Sequence, residues 1–301
     1  MNSRCSRSLC RSLPSGWISS VVCFVVLVLA GGWCAVVLRA ADDKKMKPEE
    51  LIARHLEAIG SPEARAAAIS RVAGGRVNLV NRVGSTGSIS GQAMLVSSGA
   101  KLRFGMNFPA QDYPGEDMAF NGTRMMTGML PSGRRSNLSL FLNAQDVMLK
   151  EGLIGGVLST AWPLLRVEQL QPRLDYRGLK KVDGQQLHEL SYRGNKGRAD
   201  LRVMMYFDQA TFRHLRTEYS YEVGAQLGNG PNESSRQQES HYKITETFDD
   251  FRQVDGLTLP HKYKLQLSVQ TMNGSLLSDW ALDVASISHK EKFEEGIFTI
   301  K

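Results

Sequence analysis

Two hydrophobic periods succeed each other along the chain. After Lys47-Pro48-Glu49-Glu50, the residues Leu51, Ile52, His55, Leu56 and Ile59 recur at three- and four-residue spacing, and Gly60 ends the run. This spacing predicts a helix: proline suits the first turn, the two acids complement the amino-terminal dipole, and glycine suits the end. A second short helix is predicted from Ser61-Pro62-Glu63 to Ile69. From about Gly75 the period falls to two. Segments 92–97, 101–108, 117–120 and 124–129 read as strands, and so do 173–177, 186–193, 201–207, 213–221, 242–252, 262–270 and 280–288. Asn121-Gly122, Val182-Asp183-Gly184 and Val254-Asp255-Gly256 lie between such runs and are hairpin signals.

Between the two sets of strands, residues 136–162 return to helical spacing. Leu138, Phe141, Leu142, Met148 and Leu149 are followed, after Gly152, by Leu153, Ile154, Val157, Leu158, Ala161 and Trp162. Gly155-Gly156 weakens the middle of this pattern, and Pro163 ends or bends it. Strands and helices do not alternate, which argues against a parallel α/β fold. The expected fold class is α+β. It is a strongly curved antiparallel sheet, a half-open β-barrel of about ten to twelve strands, with an N-terminal helix and an inserted helical lid. Residues 42–301 form its single domain.

The first 41 residues change the picture of where this domain works. Arg4, Arg7 and Arg11 precede an apolar run from Val21 to Leu38, and small residues follow at Ala40-Ala41. That is the layout of a signal peptide, and the length of the run also fits an N-terminal membrane anchor. Either form exports the rest of the chain, because the arginines stay in the cytoplasm. The formal charge of +7 shrinks once this segment is set aside, since 33 Lys and Arg then face 30 Asp and Glu. No basic footprint for nucleic acid remains. All four cysteines, Cys5, Cys10, Cys23 and Cys34, lie in the same segment, so the exported part has no disulfide, thiolate nucleophile or cysteine metal site. Trp33 directly before Cys34 is bulky where lipidation calls for a small residue.

Catalytic patterns are scarce. The six histidines, His55, His188, His214, His241, His261 and His289, show no metal-ligand spacing, so no metal and no cofactor is predicted. Ser98-Gly99-Ala100-Lys101 has the Ser-x-x-Lys spacing of acyl enzymes but falls in a turn between strands rather than at the start of a helix. Asp249 and Asp250 are neighbours on a strand and point to opposite faces unless a bulge intervenes. The chain is therefore read as a binding protein and not an enzyme. Its distinctive feature is apolar: Met118, Met125, Met126, Met129 and Met148 cluster around the insertion, and unbranched methionine adapts to ligands of variable shape as readily as it fills a core.

Three elements in order carry a family resemblance. They are the helix Leu51–Gly60, the strand-turn-strand Tyr206-Phe207-Asp208 to Thr211-Phe212, and Tyr242–Phe251 followed by Val254-Asp255-Gly256-Leu257-Thr258-Leu259-Pro260. Together they resemble the LolA-like superfamily, which includes periplasmic lipoprotein carriers and outer-membrane lipoprotein-sorting relatives. The resemblance covers residues 46–301. It implies a half-barrel plugged by helices and an apolar cavity for acyl chains of lipids or lipoproteins, in a monomer of the periplasm or cell envelope. Inner- or outer-membrane proteins are implied as further partners, and nucleic acid is not. Phe141, Leu142, Met148, Leu149, Leu153, Leu158 and Trp162 are the expected lid and lining, with Met118, Phe120 and Met125 opposite. No arginine of the sequence matches the lid-closing arginine of the carriers. The alternative on the same fold is a membrane-anchored envelope sensor or interaction module without transport, favoured if Val21–Leu38 stays uncleaved.

Overall fold

A computed structural model describes residues 46–83, 87–195, 200–223, 240–272 and 274–300. The N-terminal segment with its four cysteines and the polar stretch Gly224–Gln238 lie outside the described residues. Two helices open the fold, α1 (Pro48–Ile59) and α2 (Pro62–Ala67). Five strands follow: β1 (Ser70–Val83), β2 (Gly87–Ser98), β3 (Lys101–Asn107), β4 (Gly115–Phe120) and β5 (Met125–Thr127). The insertion carries α3 (Asn137–Ala144), α4 (Val147–Lys150) and α5 (Val167–Leu170), with 3-10 turns at Gly156–Leu158 and Pro163–Arg166. Seven more strands complete the chain: β6 (Arg173–Val182), β7 (Gln185–Arg193), β8 (Arg202–Asp208), β9 (His214–Val223), β10 (Ser240–Val254), β11 (Leu257–Thr271) and β12 (Gly274–His289).

All twelve strands join one antiparallel sheet in the order β5-β4-β3-β2-β1-β12-β11-β10-β9-β8-β7-β6. This corrects the expected strongly curved half-open barrel: the sheet is open. Closure would require the two edge strands to hydrogen-bond. Here the edges are β5 and β6, which are successive in sequence but stand at opposite ends of the sheet. The chain between them, residues 128–172, covers one sheet face instead of letting the edges meet. The insertion is also not the long helical pattern that its periodicity predicts. Gly152, Gly155 and Gly156 all adopt positive φ and break it into short pieces.

The hairpin signals perform as read. Asp183 and Gly184, and likewise Asp255 and Gly256, have positive φ between paired strands, as two-residue hairpin turns of the primed kind require. The alternation predicts this strand over 262–270. The strand in fact begins at Leu257, and Pro260 stands opposite Phe251 beside Asp250, whose φ of 54° interrupts the ladder locally.

Pairing across the sheet fixes which side chains share a face. Tyr176, Leu190, Met205, Thr217, Glu246, Leu265 and Trp280 occupy paired positions on seven consecutive strands, β6 to β12, and all are buried. Met118, Phe104, Leu95 and Ala73 make the corresponding row on β4 to β1. The insertion covers this face, and one continuous apolar core fills the space between.

Candidate functional site

The candidate site is the interface between the insertion and the covered face. Helices α3 and α4 pack on β4, and α3 also on β5. This brings Phe141, Leu142, Met148 and Leu149 to the strands that carry Met118, Phe120 and Met125. Phe141 meets the edges of the Tyr221 and Tyr242 rings at 5.0 and 6.5 Å. Leu153, Leu158 and Trp162 lie further along the insertion, over the middle of the sheet. All seven insertion residues and Met118 are at most 1% exposed, Phe120 is buried, and Met125 packs against the same core half-buried. Leu153 borders a cavity of about 10 Å³ next to Tyr192, about the least that holds one water. The other nine border none of the cavities described. The set is brought together as packed core, with the insertion seated.

Polar contacts hold the insertion down, and several pair it with buried groups of the sheet or of α1. Glu116 on β4 is buried; Ser136 Oγ donates to its Oε2 at 2.7 Å, Ser139 Oγ to the same oxygen at 3.2 Å, and Tyr113 OH to Oε1 at 2.6 Å. Ser136 is also the N-cap of α3, accepting from Ser139 N at 3.0 Å. Burial pushes the Glu116 carboxyl up, and the three hydroxyl donors offset part of that rise. On the insertion itself, Glu151 accepts from Tyr192 OH of β7 at 2.6 Å.

Glu246 is the central latch. It is fully buried in the middle of the apolar row, where burial raises its pKa to about 7. Gly155 N and Tyr263 OH donate to its Oε1 at 2.7 and 2.6 Å, and Tyr219 OH lies 2.6 Å from Oε2. Tyr219 OH also lies 3.0 Å from Leu153 O of the insertion. A phenol has one proton to give. When Glu246 is ionised, Tyr219 donates to it and Leu153 O goes without that donor. When Glu246 is protonated, the carboxyl can donate to Tyr219, which frees the phenolic proton for Leu153 O. Protonation thus adds a bond between sheet and insertion.

Gly155 and Gly156 allow this contact. A Cβ on Gly155 would lie 2.4 Å from Leu95 Cδ1, and one on Gly156 would lie 2.6 Å from Phe248 Cζ. The backbone therefore sits directly on the side chains of the sheet. Next to it Arg71 of β1, 3% exposed, donates through Nη1 to Val157 O and through Nε to His289 Nε2 at 2.9 Å. Arg71 stands at the start of a strand, and only the tertiary fold brings it under the insertion.

Trp162 anchors the end of the insertion. Its ring stacks on His214 at 4.7 Å, and its Nε1 donates to His55 Nε2 at 3.3 Å. His55 Nδ1 lies 2.9 Å from the carbonyl of Phe212, which can only accept. The neutral Nδ1-H tautomer satisfies both contacts, and an imidazolium would lose the indole donor. Burial accordingly lowers the pKa of His55 to about 4. The Phe212 carbonyl is turned to meet His55 by the β8–β9 hairpin, in which Asp208 Oδ1 accepts from Ala210 N and Thr211 N at 3.1 and 2.7 Å. The Tyr206–Phe212 element behind the family resemblance is thus one docking point of α1. Among the described residues, no group of three or more His, Cys, Asp or Glu is placed to hold a metal ion. Asp249 and Asp250 form no joint site: Asp250 pairs with Arg252 at 2.5 Å, while Asp249 Oδ1 accepts from Asp250 N.

No family model matches the chain, and no curated protein does. Among solved structures it is similar to an outer membrane lipoprotein-sorting protein domain from Vibrio parahaemolyticus, at 14% identity and a TM-score of 0.45 over 84% of this chain and 97% of that one. It is also similar to a LolA superfamily protein from Nitrosomonas europaea, at 12% identity and a TM-score of 0.44 over 85% and 98%. A third similar structure is the MucA/MucB complex of Pseudomonas aeruginosa, at 10% identity and a TM-score of 0.23 over 81% and 100%. Of these, the Nitrosomonas europaea protein is a member of the LolA superfamily that the sequence resembles.

Proposed function

We propose that residues 42–301 form an exported cell-envelope protein that binds acyl chains of lipids or lipoproteins between the insertion and the sheet, without covalent chemistry. Residues 1–41 are its signal peptide or N-terminal anchor. The observation that carries this reading is the make-up of the insertion's contact with the sheet. A segment linking the two opposite edges lies on an apolar face through Phe141, Leu142, Met148, Leu149, Leu153, Leu158 and Trp162. Discrete polar latches at Glu116, Glu151, Glu246, Arg71 and His55 hold it there.

Such an interface can exchange one apolar partner for another. An acyl chain entering beneath the insertion gains about 0.8 kcal/mol per buried methylene, which offsets the loss of the insertion's own contacts. Met118, Phe120, Met125 and Met148 supply much of the surface against which a chain of variable length packs.

The test is native mass spectrometry of the full chain purified from a bacterial envelope, followed by lipid extraction. A bound lipid of defined mass is the expected result. If none is retained, and neither lipids nor acylated peptides raise the thermal midpoint, the reading fails, since a ligand that binds only the folded state must stabilise it.

A further inference from the structure

A separate cavity opens where α1, α2 and the end of the insertion meet the start of β1. Its volume is about 410 Å³. Ile59, Ile69, Leu165 and Leu257 supply apolar wall, and Ile69 is 67% exposed. The charged side chains that line it are Arg65, Arg71 and Arg166, and no carboxylate lines it among the described residues.

Two of these arginines hold a buried donor with no acceptor. Arg65 Nη1 and Arg166 Nη1 are both shut off from solvent and unpartnered. Arg166 Nε reaches Gln169 Oε1 at 3.3 Å, a neutral acceptor. Arg71 is paired with a carbonyl and an imidazole, again without a carboxylate, and burial alone pulls its pKa down to about 10. Guanidinium groups are ordinarily neutralised when buried, and a buried donor left unmatched is costly. Three of them line one cavity that no carboxylate lines among the described residues, a setting that suits the oxygens of an anion, which arginine forks bind well.

The apolar wall adds the second half of the ligand. We infer that this cavity binds an anionic amphiphile, its phosphate headgroup held by Arg65, Arg71 and Arg166 and its first hydrocarbon segment laid against Ile69, Leu165 and Ile59. The site lies beside the acyl-binding interface under the insertion and shares Arg71 with it, while none of the apolar residues assigned to that interface lines it.

Isothermal titration calorimetry on the purified full chain tests this with three probes: dodecyl phosphate, dodecyltrimethylammonium with the same tail and opposite charge, and inorganic phosphate. Dodecyl phosphate is expected to bind at least about a hundredfold more tightly than inorganic phosphate, from tail burial. The double variant Arg65→Gln with Arg166→Gln weakens dodecyl phosphate roughly tenfold or more and does not weaken the ammonium probe. Ile69→Glu sets a negative charge on an exposed wall position without removing an arginine, weakens dodecyl phosphate in the same direction, and keeps the test intact if the double variant does not fold.

Equal binding of dodecyl phosphate by wild type and variants, or binding no tighter than that of the ammonium probe, overturns the site. Inorganic phosphate binding as tightly as dodecyl phosphate assigns the arginines to a free phosphate and overturns the amphiphile. Loss of co-purifying lipid from the insertion interface leaves these titrations unaffected, so the two readings fail separately.

Discussion

Glu246 places a carboxyl among apolar neighbours, and that gives it a thermodynamic signature. Its folded pKa of about 7 lies above the ordinary value of 4.5. Between these two values the folded state keeps a proton that the unfolded chain has released, so stability falls as pH rises through this window and the loss is complete above it. The contribution is on the order of 3 kcal/mol. His55 has the opposite sign: it stays neutral in the fold down to about 4, so its share of stability is lost as pH falls from 6.5 towards 4. Comparing wild type with Glu246→Gln cancels the histidine share. Urea unfolding at pH 5 and pH 8 is expected to show wild type losing roughly 2 kcal/mol or more relative to the variant on going to the higher pH. Identical pH dependence of the two proteins would mean that the carboxyl is not raised. Because protonation also frees Tyr219 for Leu153 O, the insertion is held more firmly on the acid side.

At the scale of elements, the insertion and the sheet are unequal in strength. The strands are tied by long ladders, such as β10 to β11 from His241–Gln270 to Val254–Leu257. The insertion is tied by short helices and by side-chain latches. Gly156→Ala forces a Cβ towards Phe248 at a residue with a φ of 48°. The expected cost is about 1–3 kcal/mol, and it falls on the seating of the insertion. Hydrogen exchange read by mass spectrometry is expected to show faster exchange in residues 146–162 of the variant, with β10 and β11 as protected as in wild type. Equal loss of protection across the sheet would show that insertion and sheet unfold as one unit.

For the whole molecule, an open sheet of twelve strands has two edges to protect. β5 limits one edge by its length of three residues. β6 protects the other with Arg173, Arg177, Lys180 and Lys181, all exposed. Short strands and charged side chains both oppose pairing with another sheet. The protein is expected to sediment as a monomer, and the triple change Arg177→Val, Lys180→Val and Lys181→Val is expected to produce concentration-dependent association. A variant that remains monomeric across the same concentrations would show that the charges on this edge are dispensable.

The sequence by itself determined the elements whose information is local. The helix at Pro48–Ile59, the run of strands and the Asp-Gly hairpins were all legible, because capping residues, alternation and left-handed turn positions depend on near neighbours. Its apolar pattern also marked out the insertion residues that share the core with Met118, Phe120 and Met125. What it could not hold was every relation between distant segments. An alternating strand has the same pattern in a curled half-barrel and in an open sheet, so strand order alone decided between them. Apolar spacing is likewise the same for a filled core and for the lining of a cavity. Glu246, Arg71 and His55 looked like ordinary polar residues of strands and a helix until the insertion lay across them. Arg65, Arg71 and Arg166 acquired a common cavity only when the tertiary structure brought α2, β1 and the end of the insertion together.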